Sequence, residues 1–191
     1  MRLVLASRSP RRSLLLATAG FPHDIRVSEV DESLFDGESI PDAVLRLSHL
    51  KVHSVSRKEG EVVLGADTIV VLDGSALGKP VDPSDAREML ARLSGRAHSV
   101  LTGWTAIGDR GERFGFTESR VTFRSLKTSE ISSYVDEVQP FDKAGAYALQ
   151  GDNGRLVADV DGSRANVMGL PLREVVDALE ELGIERSAPD R

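Results

Sequence analysis

The chain has 191 residues, 40% hydrophobic and 28% charged, with a formal net charge of −6. That size and balance describe one globular domain with a sizeable core and exclude disordered and fibrous classes. The acidic balance excludes a broad nucleic-acid-binding face, and the absence of cysteine excludes disulfides, thiol catalysis and thiolate-bound metal.

In chain order, residues 3–6 read as a strand whose apolar run is too short for a signal peptide or membrane span, which gives a cytoplasmic expectation. Ser9-Pro10 then opens a helix running to Gly20, because serine caps a helix start and proline is tolerated in its first turn. Ser39-Ile40-Pro41 opens a second helix to about Arg57. Residues 62–72 form a strand apolar on both alternations, hence covered on both faces. Asp73-Gly74 follows as a tight hairpin turn. Asp82-Pro83 opens a third helix, which Gly95 stops. Residues 98–107 and 120–125 are strands, a fourth helix begins near Thr128, and residues 155–160 are a strand. Pro171 opens the last helix, ending at Gly183, and the polar tail from about residue 185 is expected to fray. Alternating strands and helices give a mixed α/β class.

The chemistry begins at Leu5-Ala6-Ser7-Arg8-Ser9-Pro10-Arg11-Arg12. Basic residues in a first helical turn oppose the helix dipole. A bound phosphate resolves that conflict by meeting both the N–H groups and the guanidinium groups; the plainer alternative is a solvated basic cap. Lys51 sits in the apolar stripe of the second helix, either snorkelling to water or turned inward. Asp67, within Gly65-Ala66-Asp67-Thr68, is a carboxylate in a doubly covered strand. It is either a bulge or loop cap, or a metal ligand or general base. Glu32, beside Asp31, is a second oxygen ligand or a surface acid. Leu77-Gly78-Lys79-Pro80 and residues 142–151, which include Lys143 and Gln150, are loops with reactive groups, and Gly78-Lys79-Pro80 is not a P-loop. His49 and His53 are four apart on a helix, yet no glutamate follows His49, so they read as surface or partly buried residues.

Together, in this order, these segments resemble the Maf family of nucleotide pyrophosphatases, relatives of the inosine triphosphate pyrophosphatase fold. Leu93-Ser94-Gly95-Arg96-Ala97-His98-Ser99-Val100-Leu101-Thr102-Gly103 and Val167-Met168-Gly169-Leu170-Pro171-Leu172 extend the resemblance over nearly the whole chain. It implies one domain spanning 1–191, an elongated two-lobed fold with a mixed central sheet flanked by helices, a cleft between lobes, and a homodimer. The implied reaction is hydrolysis of a nucleoside triphosphate to the monophosphate and pyrophosphate. Arg11, Thr68 and Gln150 look like the branch acting on dTTP and UTP. Gly162-Ser163-Arg164-Ala165 departs from the aromatic residues that branch usually shows. On this resemblance Glu32 and Asp67 hold Mg²⁺, Mn²⁺ or Co²⁺, and Asp67 also activates water. Ser7, Arg11, Arg12, Lys51, Lys79 and Lys143 bind phosphate oxygens, and Thr68 and Gln150 face the base or sugar. A non-catalytic nucleotide-binding regulator of septum formation is the alternative, and a phosphatase releasing single phosphates a third reading.

Overall fold

The computed structural model describes residues 1–187. In chain order it comprises β1 (Arg2–Leu5), α1 (Pro10–Thr18), β2 (His23–Ile25), α2 (Ile40–His53), β3 (Glu61–Leu72), β4 (Ser75–Leu77) and α3 (Pro83–Leu93). Then follow β5 (Ala97–Gly108), β6 (Gly111–Phe123), α4 (Thr128–Val138), β7 (Val157–Asp161), α5 (Arg164–Val167) and α6 (Leu172–Glu181). One 7-stranded mixed sheet runs β2-β1-β3-β5-β6-β7, with β4 added to β3. β1 pairs in parallel with β2 and β3, while the β3–β4 and β6–β7 pairs are antiparallel.

The expected helix starts are where the caps place them. Ser9 accepts from the Arg12 N–H, Ser39 from Asp42 and Asp82 from Asp85, each with proline in the first turn. Asp73 and Gly74 both take positive φ, 52° and 76°, which joins β3 to β4 by a two-residue turn. α2 stops at His53, short of the expected Arg57, because the Ser54 hydroxyl donates to the Lys51 carbonyl and closes the last turn. β6 begins at Gly111, nine residues before the expected start. Its first half alternates exposed and half-buried residues and lacks a continuous apolar run.

The chain divides into two compact units. Unit 1 holds residues 1–67, 102–117 and 169–191; unit 2 holds 68–101 and 118–168. Unit 1 is built around Leu5, Leu16, Phe21, Leu64, Leu170 and Leu179. Its C-terminal strand of chain is tied back, with the Ser187 N–H donating to the Gly20 carbonyl and Arg186 to Glu180. The rest of the tail expected to fray, 188–191, lies outside the described residues. Unit 2 is built around Leu72, Leu90, Leu93, Phe123, Tyr134 and Leu156. Within it His98, Phe123 and Tyr147 stack edge to face at 4.9–5.4 Å. His98 Nε2 shares a 2.8 Å hydrogen bond with the Tyr147 hydroxyl, and burial lowers the imidazole pKa from 6.5 to about 4.

Candidate active site

In unit 1 the turn between β1 and α1 folds onto its own side chains. The Ser9 N–H donates to the Ser7 hydroxyl at 3.1 Å, and the Ser9 hydroxyl caps the Arg12 N–H. Arg12 is buried, donating through Nε to the Gly169 carbonyl at 2.7 Å and through Nη1 to Ser7 at 3.3 Å. Burial lowers its pKa from the ordinary guanidinium range; the charges of Asp67 and Glu32 oppose that shift and Arg11 adds to it. Arg11 and Arg12 thus share one electrostatic neighbourhood with both acids, and Ser7 joins it through its hydrogen bond to Arg12. Arg8 is elsewhere, in an exposed pair with Glu29.

The two acids meet at Lys51. Its Nζ lies 2.5 Å from Asp67 Oδ1 and 2.6 Å from Glu32 Oε1. Lys51 and Asp67 are 6% and 7% exposed, so the ammonium is turned inward and does not snorkel. The cause is a close approach of α2 to the sheet. A Cβ on Gly65 would stand 2.8 Å from the Ser48 carbonyl and 3.2 Å from Lys51 Cβ, and one on Gly103 would stand 2.3 Å from the Val44 carbonyl. Gly65 and Asp67 share a strand face, so seating α2 on Gly65 carries Lys51 to Asp67. Ser48 adds a 2.8 Å hydrogen bond to Thr105. Gly65 thus makes room for α2's own backbone.

Arg46, one and a half turns before Lys51, is a site residue that the sequence reading missed. It donates to both Glu38 oxygens at 2.6 and 2.7 Å, to the Ser33 carbonyl at 3.1 Å, and lies 3.9 Å above the Phe35 ring. These contacts clamp the irregular loop that presents Glu32. Asp31 stiffens the same loop by accepting from the Ser33 N–H and hydroxyl. The one signal in the sequence was an arginine bordering the apolar stripe beside Leu47.

In unit 2 the two reactive loops are joined: the Gly145 N–H donates to the Gly78 carbonyl at 3.0 Å. Gly145 and Ala146 both have positive φ, 69° and 60°, and a Cβ on Gly145 would press on Val70 at 3.1 Å. That tight turn brings the loop of Lys143 to the loop of Lys79. Lys143 pairs with Asp142, and Lys79 is exposed. Thr68 is half-buried on β3. Gln150 lines a cavity of about 490 Å³ together with Asp152, Asp159 and Arg164, so the departing Arg164 faces the same space as Gln150.

Glu32 and Asp67 suit a hard divalent cation by their chemistry, since such ions take carboxylate oxygens. Their oxygens already converge on one positive atom, the Lys51 nitrogen. The two carboxylates fit such an ion by their chemistry, and the point where their oxygens converge is held here by the Lys51 ammonium.

The fold and this neighbourhood define a mixed α/β protein whose buried cations and paired carboxylates meet at a helix start, an arrangement suited to phosphate esters and anhydrides. The Maf-like protein family profile matches residues 2–182, and the chain belongs to that family. It is 47% identical over 186 residues to a dTTP/UTP pyrophosphatase of Geotalea uraniireducens, covering 95% of each chain. It is 49% identical to one of Myxococcus xanthus, covering 95% of this chain and 93% of the relative. A solved nucleoside-triphosphatase / dITP/XTP pyrophosphatase of Mycobacterium abscessus is similar at 17% identity and TM-score 0.39. That likeness covers 66% of this chain and 76% of the other.

Proposed function

We propose that the protein hydrolyses dTTP and UTP to the nucleoside monophosphate and pyrophosphate. The observation that carries this reading is the buried Lys51 ammonium held between Asp67 and Glu32, in the electrostatic reach of Arg12. The relatives named dTTP/UTP pyrophosphatase support the choice of nucleotide.

Water attacks the α-phosphorus, the bond from that phosphorus to the bridging oxygen breaks, and pyrophosphate leaves. Asp67 orients the water and accepts its proton. Ser7, Arg11, Arg12 and Lys51 hold phosphate oxygens, and these fixed donors stabilise charge moving to the leaving group. In unit 2, Lys79 and Lys143 are assigned to phosphate oxygens and Thr68 and Gln150 to the base or sugar, as the family resemblance implies. Glu32 and Asp67 would hold a divalent ion (Mg²⁺, Mn²⁺ or Co²⁺), which would supply Lewis-acid charge to the phosphate oxygens. In this reading the enzyme works in the cytoplasm as a homodimer. Among the described residues no helix is long and apolar enough to cross a membrane.

The test is product analysis of a nucleotide panel incubated with the protein and each metal. Monophosphate plus pyrophosphate from dTTP and UTP is the expected result. Orthophosphate would make it a phosphatase, and no turnover across the panel would make it a nucleotide-binding regulator.

A further inference from the structure

The other side of α2 carries a second cluster of ligand groups. His49 and His53 stand one helical turn apart, their ring centroids 4.2 Å apart and planes tilted by 50°. Glu112, at the start of β6, brings Oε1 to 2.9 Å from His49 Nδ1. One ligand atom from each of the three lies within 4.8 Å of the others, the only such group of three or more His, Cys, Asp or Glu among the described residues.

We propose that His49, His53 and Glu112 bind one divalent transition-metal ion of the zinc type, at a site separate from Glu32 and Asp67. Imidazoles four apart on a helix point the same way and can share an ion. Two imidazoles and one carboxylate, with water in a fourth position, are a zinc donor set. Nitrogen donors favour Zn²⁺, Ni²⁺ and Cu²⁺ over Mg²⁺, the reverse of the all-oxygen pair on the inner face. Around tetrahedral zinc, ligand atoms stand about 3.3 Å apart. The present separation closes by rotation of side chains with room to move: His49 is 49% exposed and Glu112 34%. Lys51 lies two residues from each histidine, about 200° around the helix and turned inward, so it does not compete. No glutamate follows His49, so the ion has no general base beside it. Its role is a clip, fastening the C-terminal turn of α2 to the start of β6. That helix presents Lys51 and Arg46 on its other sides.

The test needs no nucleotide. Zinc is titrated into the intact protein under excess Mg²⁺, with bound zinc measured by equilibrium dialysis and the four histidine ring signals followed by NMR. The expected result is one zinc equivalent retained by the wild type and lost in H49A/H53A. The His49 and His53 signals should shift together while those of His23 and His98 stay in place. Equal zinc retention by wild type and H49A/H53A, or zinc uptake that leaves the His49 and His53 signals unmoved, would overturn the proposal. The NMR arm uses the unaltered chain and does not depend on the variant folding.

Discussion

Lys51→Met keeps an unbranched apolar stem and deletes the ammonium. Asp67, with 10% of its side chain exposed, then loses a counter-ion 2.5 Å away. Removing one partner of a buried pair costs about 3–5 kcal/mol, because the remaining charge loses its nearest counter-ion without regaining water. Glu32 is different: with 44% of its side chain exposed, water resolvates it, and its share of the loss is about 0–1 kcal/mol. Against a total stability of about 5–15 kcal/mol, the Asp67 term dominates. In urea the unfolding midpoint of K51M should fall by about 1–2 M. In a D67N background, where no charge is stranded, the same substitution should cost at least about 1.5 kcal/mol less. Added Mg²⁺ or Mn²⁺ should stabilise K51M more than wild type, since a cation at Glu32 and Asp67 replaces the missing charge. A K51M protein within about 1 kcal/mol of wild type, or strict additivity with D67N, would refute the reasoning.

Asp67→Asn keeps shape and removes the base, so turnover of dTTP should fall at least ~10²-fold with the fold intact by circular dichroism; near-normal turnover would sink that role. Arg46→Met releases the clamp on the Glu32 loop, and kcat should fall about tenfold or more while the loop around residues 33–38 becomes sensitive to protease. Unchanged kcat and protease resistance would leave Arg46 a surface residue. His98 has a folded-state pKa of about 4 against an ordinary 6.5. Its contribution is fully present above pH 6.5 and is lost as pH falls from 6.5 toward 4, because the unfolded chain takes up the proton first. The loss is about 3 kcal/mol, read as a falling unfolding free energy over that window, and His98→Phe should flatten that limb.

The helix starts were legible in the sequence because a cap and a proline act within four residues: Ser9-Pro10, Ser39 with Pro41, and Asp82-Pro83 each carry their own instruction. Asp67 was legible as an inward acid because apolar residues on both sides of it leave its strand no wet face. The first half of β6 was not, since Glu112–Glu118 alternates half-buried and exposed positions that read equally well as loop. β2 was too short, at three residues, to leave a periodic signal.

What the sequence by itself determined was the family resemblance, the mixed α/β class, and the roll of charged residues set at a helix start and in a buried strand. Only the tertiary structure decided which of them meet. Lys51 and Asp67 are sixteen residues apart, and nothing local says whether that lysine reaches water or the acid. The answer came from Gly65 and Gly103, whose missing side chains let α2 lie against β3 and β5. The Arg46 clamp depended in the same way on a loop returning to its helix. Caps and periodicity are written in neighbouring residues, whereas ion pairs between elements follow from how closely the backbones can approach.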